Sequence, residues 1–82
     1  MTQTEAQDYL LRVIVDAAAA AGSQANLARE FGLKPAAVSL WVIRRKFPYR
    51  YAYRISKLVE PQHSLQKICD ALFAIKYQKE GV

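Results

Sequence analysis

Apolar residues recur along this chain at spacings of three and four, and polar or conformationally special residues mark where each run starts and stops. Ala6, Tyr9, Leu10, Val13, Ile14 and Ala17 fall at i, i+3, i+4 and i+7 intervals, which predicts a helix from about Thr4 to Ala20 with one buried face. Thr2 and Glu5 have the spacing of a capping box, in which each side chain satisfies a backbone N–H of the other residue. Gly22 stops this helix and Ser23 suits the N-cap of the next. That second helix spans about Gln24 to Phe31, with Leu27, Ala28 and Phe31 facing inward. Gly32 then provides a left-handed turn, and Pro35, whose missing N–H costs nothing at a first helical position, opens a third helix.

In the third helix Val38, Trp41 and Val42 point inward, while Ala36, Ser39, Leu40 and Ile43 lie toward the other side. Lys34 stands where a capping Ser, Thr or Asp is usual, which leaves the first N–H groups open to a DNA phosphate or to water. From Phe47 to Pro61 two patterns compete. Tyr49 to Arg54 alternate like an edge strand, whereas Ala52, Ile55, Leu58 and Val59 recur like a helix bounded by Pro48 and Pro61; the helix is the better fit. A last helix, about 64–78, starts at the N-cap candidate Ser64 and carries Leu65, Ile68, Cys69, Leu72, Phe73 and Ile75 as a broad apolar stripe. The stripe fits either a homodimer contact or core packing. The expected fold is all-α: a compact bundle of about five helices forming a single domain over 1–82.

Composition narrows the function. A hydrophobic fraction of 52% supports a core without staples, although a chain of 82 residues has modest stability. The single cysteine, Cys69, rules out an internal disulfide and a multi-cysteine metal site, and reads as core packing. The only histidine, His63, lies in a Pro-Gln-His-Ser connection and reads as a surface residue. No Gly-rich phosphate loop and no convergent catalytic set is present, so neither an enzyme nor a cofactor is expected. The Ala17–Ala21 run is too short to span a bilayer, and a cytoplasmic protein without membrane partners is expected.

Charge is unevenly placed. The net charge is +5, yet Lys34, Arg44, Arg45, Lys46, Arg50, Arg54 and Lys57 fall between Phe31 and Val59 with no acid among them. That span carries +7 and the rest −2, the footprint of polyanion binding beside a helix pair.

The window 24–43 resembles the helix-turn-helix of phage Cro and repressor proteins, especially the Cro/YdaS-like group of the all-helical type. Gln24 opens the first helix, Ala28 lies at the crossing, Gly32 in the turn, and Leu33, Val38 and Trp41 at buried positions. Ala36-Ala37-Val38-Ser39 followed by Trp41, and then Ala52-Tyr53-Arg54, extend the likeness over about residues 22–60. The resemblance implies a lambda-repressor-like fold and a transcriptional regulator that inserts its third helix in the major groove of an operator in double-stranded DNA. An antitoxin of the YdaS-like branch, or an interaction module that uses the motif as scaffold, is the alternative, with a toxin or RNA polymerase as partner.

On that reading Lys34, Pro35, Ala36, Ser39, Leu40 and Ile43 face the bases, and Gln24, Arg44, Arg45, Lys46 and Arg50 face phosphates. Leu40 stands where many relatives carry a polar reader such as glutamine, so a thymine methyl replaces a hydrogen-bonded base as its natural contact. Direct readout is then modest, and DNA shape supplements it. Because one helix pair reads only a few base pairs, a weak or DNA-assisted homodimer through the fourth or last helix is expected.

Overall fold

The computed structural model describes residues 1–78. Lys79 and Glu80 of the charge tally lie outside them. Five α-helices follow one another: α1 Gln3–Ala21, α2 Gln24–Glu30, α3 Pro35–Arg44, α4 Ala52–Val59 and α5 Leu65–Gln78. A 3-10 turn at Tyr49–Tyr51 leads into α4, and no strand occurs among the described residues. The edge-strand alternative for Tyr49 to Arg54 is thus replaced by this turn and the first residues of α4. The radius of gyration is 12.1 Å, close to the roughly 12 Å of a packed single domain of this length.

α1 is the central element and touches every other helix. Its start is fixed by the anticipated capping box: Thr2 N–H donates to Glu5 Oε1 at 2.8 Å, and Glu5 N–H donates to Thr2 Oγ1 at 3.1 Å. The Thr2 backbone bond, followed by the side-chain bond, holds the Glu5 carboxyl below its ordinary range. α1 ends at Gly22, whose φ of 109° few other residues adopt. Ser23 accepts from Asn26 N–H at 3.1 Å, and the Asn26 amide donates back to the Ala21 carbonyl at 3.3 Å, stitching α1 to α2.

α2 is one residue shorter than the pattern predicts, because Phe31 acts as its C-cap and is only half-buried. Gly32 takes φ 70°, and Leu33 N–H reaches back to the Ala28 carbonyl at 2.8 Å, closing the turn into α3. Ala28 is fully buried, so its small side chain lets that backbone come close.

The core is a single cluster drawn from all five helices, with Leu10, Ile14, Leu27, Val38, Ile55 and Ile68 at its centre. Buried Ser56 meets its own requirement by donating to the Tyr53 carbonyl at 2.6 Å. On α5, Ile68, Ala71, Leu72 and Ile75 enter the core, Leu65 and Cys69 are half-buried, and Phe73 stays 48% exposed. The broad stripe is therefore mostly core, with Phe73 turned out of it.

His63 departs from the sequence expectation of a surface residue. Its side chain is only 12% exposed. Nε2 lies 2.7 Å from Asp16 Oδ2, and Nδ1 lies 3.1 Å from the Tyr9 hydroxyl. The ring also meets Tyr9 edge to face at 5.2 Å. The connection between α4 and α5 is thereby tied to α1, through polar partners that hydrophobic periodicity does not reveal. Burial beside this contact raises the Tyr9 pKa above its usual value.

Candidate nucleic-acid interface

α3 is held to the body mainly by Val38 and Trp41. Trp41 sits against Phe31, Phe47 and Tyr51 at ring distances of 6.2, 5.8 and 5.3 Å. This aromatic nest fixes the helix by its inner face, and the indole is a packing residue rather than a stacking platform. The outer side is left to solvent. Pro35, Ala36, Ser39, Leu40 and Ile43 are all exposed, Leu40 by 43% and Ile43 by 73%. Lys34, at the N-cap, is exposed as well and makes no capping bond. All six residues expected to face the bases therefore lie on the accessible side or at the head of one short helix.

The head of α3 offers fewer open donors than its missing cap suggests. Pro35 has no N–H, and Ala37 N–H turns back to the Lys34 carbonyl at 2.9 Å. Ala36 N–H is the donor left pointing out of the helix end. Gln24, exposed in the first turn of α2, is the remaining phosphate candidate from the start of the motif.

The basic residues divide by what they touch. Arg45 closes α3 in the left-handed region at φ 58°, and its guanidinium pairs with Asp8 of α1 at 2.8 Å. Arg54 donates to the Glu30 carbonyl at 2.8 Å and lies over Phe31 at 4.3 Å. Phe31 stacks on Tyr51 at 5.4 Å, and Arg50 lies over Tyr51 at 4.9 Å. Lys57 sits 3.7 Å from Glu60 and over the Tyr53 ring. Lys34, Arg44 and Lys46 form no ion pair among the described residues. The stretch is acid-free in sequence, but folding brings the Asp8 carboxylate of α1 to its edge.

Tyr49 lies in the 3-10 turn and Tyr53 in the first turn of α4, both exposed. Tyr49 leans on Phe73 at 6.3 Å, and the neighbouring Cys69 thiol raises its pKa. Tyr53 lies under Lys57.

Sequence reasoning missed one neighbour of this surface. Gln3 and Gln7 of α1 and Leu72, Ile75 and Lys76 of α5 converge beside Leu40 and Arg44. No local pattern signals this, because the three helices meet only in the folded bundle. No group of three or more His, Cys, Asp or Glu able to hold a metal occurs among the described residues. No helix there is long and apolar enough to cross a membrane. No family profile, curated protein or solved structure matches the chain.

Proposed function

We propose that α2, the Gly32 turn and α3 act as a helix-turn-helix that binds double-stranded DNA, with α3 in the major groove, and that the protein is a Cro-like transcriptional regulator. The observation that carries this reading is the solvent-facing side of α3. A helix anchored by two buried residues presents Ala36, Ser39, Leu40 and Ile43 outward, with Lys34 at one end and Arg44 and Lys46 at the other. A scaffold helix has no need of such a surface or of cations at both ends.

Ser39 is the hydrogen-bonding reader, Lys34 donates to guanine O6 or N7, and Ala36, Leu40 and Ile43 supply methyl contacts. Arg44, Lys46 and Arg50 face phosphates together with Gln24, and Arg45 joins them once it leaves Asp8. Phe73, exposed on α5 beside Tyr49, is the natural seat of a weak homodimer contact. Two copies then read half-sites about one helical turn apart.

Selection from random duplex DNA at near-physiological salt tests the proposal. Enrichment of a motif, with an inverted repeat if the dimer forms, is the expected result. Salt-dependent binding without enrichment reduces the role to charge-driven association, and no binding overturns it. Alanine at both Ser39 and Leu40 should shift the selected motif; an unchanged motif removes these residues from the reading face.

A further inference from the structure

Beside the outer ridge of α3 lies a solvent-open groove of about 490 Å³ whose walls come from three helices. Its floor is apolar: Leu40 and Trp41 of α3, Phe47 of the following loop, and Leu72 and Ile75 of α5. Its rim carries Arg44, Lys46 and Lys76, Gln3 and Gln7 close the α1 side, and no carboxylate among the described residues lines it. An apolar floor beside Arg44 and Lys46, with Lys76 across it, complements an acidic segment with apolar anchors. A DNA backbone supplies the charge but nothing to fill the floor. The groove follows α3, whose ten residues span about 15 Å, enough for three turns of a docked helix with anchors at i, i+3 or i+4, and i+7.

We propose that this groove binds an acidic amphipathic helix of a partner protein. Because Leu40 and Arg44 serve both the groove and the DNA-facing side of α3, the bound helix and DNA exclude one another; this second part rests on the DNA-binding reading above. Such a partner lifts the protein off its site by occupying one flank of the reading helix and neutralising cations at its end.

The probe is a synthetic peptide of about 16 residues with leucine at every third or fourth position and glutamate between, set against a scramble of the same composition. Trp41 is the chain's only tryptophan and lines the groove, so its emission reports binding without a label. Side-chain NMR shifts of Leu40, Leu72 and Ile75 map the site. The peptide, and not the scramble, should shift Trp41 emission and these three residues. Lys76→Glu, an exposed change on α5 outside the DNA-facing set, should weaken the peptide about tenfold, since it turns a nearby attraction into a repulsion of like size. Duplex binding should fall by less than peptide binding, since Lys76 flanks the DNA-facing set and does not belong to it.

Equal responses to peptide and scramble, no response to either, or an unchanged affinity in Lys76→Glu each overturn the groove assignment. Peptide binding is measured without DNA, so it stands or falls independently of DNA binding. In the final arm a random-sequence duplex is added to the peptide complex. Displacement of the peptide supports mutual exclusion, and a ternary complex overturns that part alone.

Discussion

The pairing of Arg45 with Asp8 gives a test in which removing an acid strengthens binding by a predictable amount. The guanidinium is held 2.8 Å from the carboxylate, and the two side chains are 43% and 56% exposed. An ion pair so open to solvent contributes about 1 kcal/mol or less, so Asp8→Asn should fold with nearly unchanged stability. Its effect on DNA binding should be larger. Each phosphate neutralised adds roughly −0.9 to the slope of log K against log salt. If Arg45 is fully released, Asp8→Asn gains up to that increment over the native protein. Across a tenfold change in salt, its affinity advantage then changes by up to about eightfold and is greatest at low salt.

Fluorescence anisotropy with a short duplex, titrated from about 50 to 500 mM salt, reads both slope and affinity. Arg45→Ala should flatten the slope by less than one full increment, because the native guanidinium is already partly neutralised. The double variant separates release of Arg45 from the general field of a lost carboxylate. Asp8→Asn should matter far less when Arg45 is absent. Slopes that coincide for native protein and Asp8→Asn, or an equal effect of Asp8→Asn with and without Arg45, would refute the reasoning.

Other substitutions test the fold that presents this surface. Gly32→Ala should cost about 1 kcal/mol in urea unfolding, since φ 70° strains alanine but nothing lies within 4 Å of an added Cβ. Gly22→Ala should cost more, because its Cβ would meet Asn26 Nδ2 at 2.8 Å and disturb the bond to Ala21; equal losses would show that strain alone governs both turns. His63→Ala should destabilise by about 1–2 kcal/mol, chiefly by leaving the Tyr9 hydroxyl without its partner, while the 43% exposed Asp16 turns to water; a negligible change would mean that the connection holds without this contact. Glu5 has a lowered folded pKa, so its contribution is present above the ordinary value of 4.5 and is lost as pH falls through the lowered one. Native protein should therefore lose stability over that acid range more steeply than Glu5→Gln, as pH-dependent thermal unfolding would show.

Local signals were the legible part of this fold. The capping box, the Ser23 cap, the Gly32 turn and the Val38 and Trp41 positions depend on residues within a few places of each other, and each occurs as the spacing predicts. The exposed side of α3 was legible for the same reason, since helical phase alone separates Ala36, Ser39 and Ile43 from the inward positions. What the sequence hid were contacts across the bundle. His63 finds Tyr9 and Asp16 from 54 and 47 residues away, and Arg45 finds Asp8 from 37. The basic run was countable, but which cations remain unpaired was not, because Glu30 contributes a backbone carbonyl and Asp8 arrives from α1. Tyr51 was equally opaque: only folding places it between Trp41 and Phe31.

The same shallow seating of α3 underlies both surfaces. Two buried side chains and the half-buried Val42 hold ten residues of helix, so its outer side is available for contact. A more deeply sunk helix would bury Leu40 and close the groove against α5, and its outer ridge would no longer stand clear of its neighbours. Anchoring through an aromatic nest compensates for the small footprint, because Trp41 brings a large contact area from one position and meets three other rings. The stability of the inner face thus sets how much of the outer face can be given over to recognition. On the two proposals, loss of packing around Trp41 would blunt DNA binding and groove binding together, whereas changes at Ser39 or Lys76 would weigh on one more than on the other.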